Sequence, residues 1–200
     1  MRTPALAALL VTGVLLAGCG AAETPTEAGQ ASSSADPAAR EYALTAQVCQ
    51  QIDFGVLESA IPLSLVEEAA TNWLVPANFL YSGGIQCLRG YGAGKRPDVT
   101  VAVGMATYGS PEGARLAYDT RLLKETAEGS LPGVELMSYA FDDTEDTLYV
   151  RDGNLFVEVR VSTLGENRTF GQVGVGEAVA PAVESFAGRL IEQLRTGQGM

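Results

Sequence analysis

Three cysteines carry most of the reactive chemistry in this sequence, because histidine is absent altogether. Cys19 closes the run Leu16-Ala17-Gly18-Cys19, at the end of a short apolar segment that follows Arg2. A positive start, an apolar stretch too short to span a bilayer and small residues before the cut are the parts of a secretory leader. An aliphatic residue, two small residues and then cysteine form a bacterial lipobox. The sulfur there takes a diacylglycerol, cleavage makes Cys19 the new N-terminus, and its amine can be acylated as well, with palmitate for example. Two or three fatty chains hold a membrane stably where one is marginal. The competing account is an ordinary secretory leader with a chance cysteine.

Cys49 and Cys87 remain after cleavage. Outside the cytoplasmic membrane disulfides persist, and an even pair in an exported domain reads as one bridge. The alternative is two buried free thiols. With a bridge formed, no thiol is left to attack a substrate or bind zinc. Without histidine there is no Ser-His-Asp or Cys-His arrangement and no imidazole metal ligand. A Ser–Lys pair would need Lys95 or Lys124, and neither sits in a stretch that would desolvate it. Residue types leave room only for a paired-carboxylate hydrolase acting on wall glycans.

The densest acidic group is Asp142, Asp143, Glu145 and Asp146. Hard cations want clustered oxygens, but the spacing is not that of an EF-hand. A solvated turn with Glu145 paired to Arg160 is the preferred reading, so no metal site is assigned. The glycine runs Gly90–Gly94 and Gly171–Gly176 lack the spacing of a nucleotide loop. Trp73, Phe79 and Tyr81 could line a binding surface, although a lone Trp beside Leu74 and Val75 is more often core. No ligand-binding residue, catalytic residue or cofactor is assigned.

The formal net charge is −11, and loss of the leader removes only Arg2 from the charged set. Such a chain is repelled by phosphate backbones and anionic headgroups, so nucleic acid is excluded and the membrane must be held by the lipid. Gly20–Arg40 has no large apolar residue and cannot offset the entropy of ordering. The expected layout is therefore a leader over 1–18, a lipidated tether over 19–40 and one domain over 41–197.

Within the domain, Asp53 could cap a helix reaching Ala60, and Pro62 stops it. Ser64-Leu65-Val66-Glu67 has capping-box spacing and predicts a short helix to about Thr71. Ile85–Tyr91 and Val99–Thr107 read as strands. The second alternates Val99, Val101, Val103 and Met105 with the small residues Thr100, Ala102, Gly104 and Ala106. Ser110-Pro111 predicts a helix start, running to about Glu128. Leu136–Phe141 is a strand. Asp152-Gly153 predicts a two-residue hairpin turn in which Val150 faces Leu155, Leu148 faces Val157 and Tyr149 meets Phe156. A last helix over Glu177–Arg195 buries Val179, Val183, Phe186, Leu190 and Leu194.

These features together resemble a family. The lipobox, the Ser/Ala/Pro tether, one cysteine near the first helix and a second opening a strand (Cys87-Leu88-Arg89) are similar to the small, functionally uncharacterised actinobacterial lipoproteins. Leu131-Pro132-Gly133 and Tyr149–Asn154 look like that family's second half, whereas the tryptophan usual soon after the second cysteine is missing. The resemblance implies an α+β domain on the cell exterior and no particular reaction. The expectation is an α+β fold, a mainly antiparallel sheet packed by helices with two half-repeats, on the outer face of the cell membrane. Its expected role is a non-catalytic binding module for an envelope protein or lipid ligand. A carrier of apolar molecules is the alternative, motivated by the small-residue face of Thr100–Ala106.

Overall fold

The computed structural model describes residues 36–45, 47–73, 81–121, 126–165, 168–176 and 179–197. Cys19, Phe79, Lys124 and the expected leader and tether up to residue 35 lie outside them. The described chain forms a seven-stranded antiparallel sheet with helices on both faces, an α+β architecture.

Two short helices come first, α1 (Val48–Gln51) and α2 (Gly55–Ala60). The chain breaks between them; the N-cap of α2 is Phe54, not the expected Asp53, which sits one residue earlier and accepts the Gly55 amide on Oδ1 at 2.9 Å. Pro62 then forces the residue before it into extended backbone.

The next segment departs from expectation. Ser64–Trp73 is a strand, β1, and not a helix. It pairs along its length with β2 (Tyr81–Gly92), with an irregularity between Leu65 and Glu67. A capping box is a local signal worth about 1 kcal/mol. A full ladder with a neighbouring strand outweighs it. β2 pairs in turn with β3 (Val99–Tyr108).

Ser110 caps α3 (Pro111–Arg121), whose Gly113 amide reaches Ser110 Oγ at 3.3 Å. The helix does not reach Glu128. Ala127–Gly129 is instead an edge strand, β4, on β5 (Leu136–Phe141). A Cβ on Gly129 would fall 2.0 Å from Met137 Cε, so a larger residue there would have to displace the end of that flexible side chain.

The hairpin β6 (Glu145–Asp152) and β7 (Leu155–Thr163) forms, but two residues out of the expected register. Gly153-Asn154 is the turn, and Asp152 faces Leu155, Val150 faces Val157 and Leu148 faces Val159. A shift of two preserves every face. Leu148, Val150, Leu155, Val157, Val159 and Val161 all lie in the main core, and Tyr149 stacks on Phe156 diagonally at 6.3 Å on the other side.

The sheet order is β1-β2-β3-β7-β6-β5-β4. The main core lies between one face and the helices α1, α2 and α4 (Val179–Thr196), with Phe54 and Phe186 rings 5.3 Å apart. On the opposite face α3 packs through Ala114 and Tyr118 onto Ala106, Tyr108, Tyr149 and Phe156. About the β3–β7 pair, β2 matches β6 and β1 matches β5, as two half-repeats would, while β4 is an extra strand on one side. The helices that follow each half lie on opposite faces, which a two-fold axis through the sheet would not produce.

Cys49 and Cys87 are joined in a disulfide linking α1 to β2. A second staple is polar. Asp152 is fully buried, and Arg40 Nη1 donates to both its oxygens at 2.9 Å. Arg195 Nη2 donates to Oδ2 at 2.9 Å, the Glu135 amide to Oδ1 at 3.2 Å, and the Tyr42 hydroxyl to Oδ2. Burial and the Asp152 carboxylate push the Tyr42 hydroxyl up to about 12. Next to it, the Asn154 side chain receives the Tyr42 amide at 2.6 Å and donates to Tyr108 O at 3.1 Å. Gly153 has φ +57, and a Cβ there would meet Arg40 O at 1.9 Å. Arg40, assigned to the tether by composition, thus makes contacts that belong to the domain.

Replacing Asp152 by Ala should cost about 3 kcal/mol, because two guanidiniums and a phenol lose a buried partner. Denaturant midpoints would show it, and a loss below about 1 kcal/mol would contradict the staple's role. Replacing both Cys49 and Cys87 by Ser, across a separation of 38 residues, should cost about 3–4 kcal/mol on chain-entropy grounds. An unchanged midpoint under reducing and oxidising conditions would contradict that.

Candidate functional site

Asp146 occupies a position where the sheet pattern calls for an apolar residue. It shares the core-facing side of β6 with Leu148 and Val150 and is paired with Phe141 and Val161. Only 4 % of it is exposed. It lies at the floor of an open cleft of about 510 Å³, lined also by Phe141, Asp142, Asp143, Thr169, Phe170 and the Gly171–Gly176 stretch, with Ala180 of α4. That volume is in the range of small-molecule sites.

Local hydrogen bonding builds the walls. Asp142 Oδ1 accepts the amides of Thr144 at 2.7 Å and Glu145 at 2.8 Å, closing the β5–β6 turn. The Phe170 amide donates to Asp143 O at 2.7 Å, tying the loop before α4 to that turn. The Val175 amide returns to Phe170 O at 2.9 Å. Tyr139 stacks on Phe141 at 4.7 Å and holds its ring at the cleft edge. Thr163 Oγ1 fixes the loop's start by donating to Arg168 O at 2.5 Å, and Arg168 itself is spent on Asp98 at 2.8 Å.

The electrostatics follow from this geometry. Burial, then the nearby Asp142 charge, push the Asp146 carboxyl up to about 6, against a smaller opposing pull from the Asp142 amide. Among the described residues no cation pairs with Asp146, and no three acidic or sulfur side chains converge tightly enough to hold a metal ion. The acidic group is therefore split. Glu145 faces the other side and lies 3.8 Å from Arg160, as expected. Asp142 and Asp143 are exposed. Asp146 is not part of a solvated turn, which corrects the sequence reading, and the alternation Asp146-Leu148-Val150 was the signal for its placement.

Other candidates disperse. Cys49 and Cys87 are consumed in the disulfide, and Lys95 is exposed in the turn after β2. Gly90 and Gly92 end β2, while Gly171 and Gly176 line the cleft instead of cradling a phosphate at a strand-to-helix turn. Among the described residues the small-residue face is partly covered and partly polar in its surroundings. Its Ala106 end is packed by α3, and the Ala102–Gly104 part borders a cleft of about 200 Å³ with Gln86, Arg121, Glu158 and Arg160.

No protein-family model matches the sequence, and no curated protein matches it. Among solved structures, the extracellular domain of PknH from Mycobacterium tuberculosis is similar at 9 % identity, with a TM-score of 0.38. The match covers 72 % of this chain and 98 % of that one. A likeness at that level carries no role across to this chain.

A carboxyl raised to about 6 is bound to its proton more tightly in the folded state. Its burial costs nothing below about pH 4, where it is neutral folded and unfolded. The cost grows as pH rises from 4 to 6, while the unfolded chain ionises first, and is complete above 6. Asp146→Asn should therefore be about 1–3 kcal/mol more stable than the native chain at pH 7.5 and nearly equal at pH 4. Denaturant midpoints at the two values test this, and a stability difference independent of pH would sink it.

Proposed function

We propose that this chain is a lipid-anchored, extracytoplasmic protein of the bacterial cell membrane whose folded domain is a non-catalytic binding module. The observation that carries the binding role is the cleft over Asp146, with hydrogen-bonded walls and a buried carboxyl that no cation neutralises among the described residues. Among the described residues its lining sets no histidine, lysine or thiol beside a hydroxyl. Phe170 and Val175 give apolar surface, and the acidic side chains contribute charge without converging on one atom. Such a lining suits recognition better than bond making.

The anchored location is supported by the lipobox at Cys19 and by a disulfide of the kind that persists outside the cytoplasm. No helix among the described residues is long and apolar enough to cross a membrane. The resemblance to the small actinobacterial lipoproteins points the same way. The carrier reading loses its motive, because the small-residue face borders α3 and a polar cleft.

Growing the source cells with a clickable fatty acid should label the native chain and leave Cys19→Ala unlabelled and released from the membrane fraction. Native mass spectrometry of the extracted full chain should then show a bound small molecule. An unlabelled native chain would overturn the anchor, and turnover of a wall glycan by the purified chain would overturn the non-catalytic role.

A further inference from the structure

Resting on the binding-module reading, we infer that the Asp146 cleft takes an organic ammonium ion, a positively charged amine on an apolar body. Three observations converge. The first is sign. Asp142 and Asp143 are exposed at the cleft mouth and Asp146 lines its floor. The start of α4 also borders the cleft through Ala180, and a helix N-terminus contributes roughly half a positive charge. The exposed pair alone outweighs that several-fold, so the cleft favours cations.

The second is separation. The carboxylates do not converge on a point, which disfavours a compact metal ion that needs several oxygens around it. They share the lining of the cleft with Phe141, Phe170 and Val175. An ammonium on a hydrocarbon body uses both, with the charge between carboxylates and the body against aromatic faces.

The third is the condition of Asp146 itself. It is 4 % exposed, yet among the described residues no cation meets it. The contrast with Asp152, also on the core side of β6, is direct, because that carboxylate has two guanidiniums. The Asp142 amide already favours its charged form, and a cation entering the cleft would add the counter-charge that the described residues do not bring and draw the Asp146 proton off. The other charged groups facing it are Asp142 and Asp143 from the β5–β6 turn. The described residues of the loop before α4 and of its first turn bring no titratable side chain to the cleft, Arg168 being paired with Asp98. Affinity should accordingly rise as pH passes upward through about 6.

The test is a ligand-observed NMR titration of the full chain in detergent with benzylammonium, using benzyl alcohol as the neutral analogue. Saturable binding of benzylammonium is expected at pH 7.5, about tenfold weaker at pH 5 and about tenfold weaker in both Asp146→Asn and Asp143→Asn. No saturation below about 10 mM, equal binding of benzyl alcohol, or variants that bind like the native chain would each overturn the proposal. The benzyl alcohol comparison needs no variant, so it stands even where a substitution disturbs folding. If benzylammonium fails while the extracted chain still carries another small molecule, this ligand class falls and the binding-module reading survives.

Discussion

A fully buried carboxylate, Asp152, decides how the two ends of this domain are held. Its oxygens receive Arg40 and Tyr42 from the chain's entry and Arg195 from the last turn of α4. Arg40 and Arg195 also share Gly133 O at 2.7 Å, which draws in the loop before β5. The β6–β7 turn therefore works as a latch as well as a reversal. Gly153 leaves room for the Arg40 carbonyl, and Asn154 mimics a strand edge for Tyr42 and Tyr108. A charge buried this deeply would be ruinous alone. With two guanidiniums, a phenol and an amide it becomes the point where entry, exit and hairpin are made mutually dependent.

That dependence explains which parts of the fold were legible in sequence. Where the signal is a period of two with a buried face, as in Val99–Met105 and Leu148–Val161, the face assignments hold residue by residue. The hairpin register slipped because Asp-Gly is a sound local turn signal, yet here Asp152 and Asn154 are occupied by a segment more than a hundred residues away. The β1 strand was missed for a related reason. Its local sequence suits a helix, and only β2 beside it, which Ser64–Trp73 covers as edge strand, makes the extended form win. Arg40 looked like tether because composition counts large apolar residues and is blind to a guanidinium with a distant partner.

The disulfide and the Arg89 contacts do at one edge what Asp152 does at the other. Cys87 bonds α1 to β2, and two residues on Arg89 lies 4.0 Å over the Phe54 ring while pairing with Glu58 at 2.7 Å and Glu68 at 3.0 Å. The exposed ion pairs add little on their own. The covalent link and the ring contact fix α1 and α2 against the sheet, which lets two helices of four and six residues persist where neither would fold alone.

Asp146 and Asp152 are six residues apart and point to the same side of β6, so an even period put both carboxyls toward the core. Their environments then diverge. At the Asp152 end the chain's own entry and exit bring two cations, and the site is closed. At the Asp146 end the neighbours are two more aspartates, two phenylalanines and a glycine-rich loop, and the site is open. A strand that needed only stability at that end would carry valine, as β6 does at Val150 and β7 at Val161, its partner across the ladder. Keeping an acid there costs folding free energy above pH 6, which the Asp142 amide offsets only in part. That cost falls where the domain opens to solvent, at the cleft that Asp146 lines, and this coincidence of a buried acid with an open site is what motivates the binding reading.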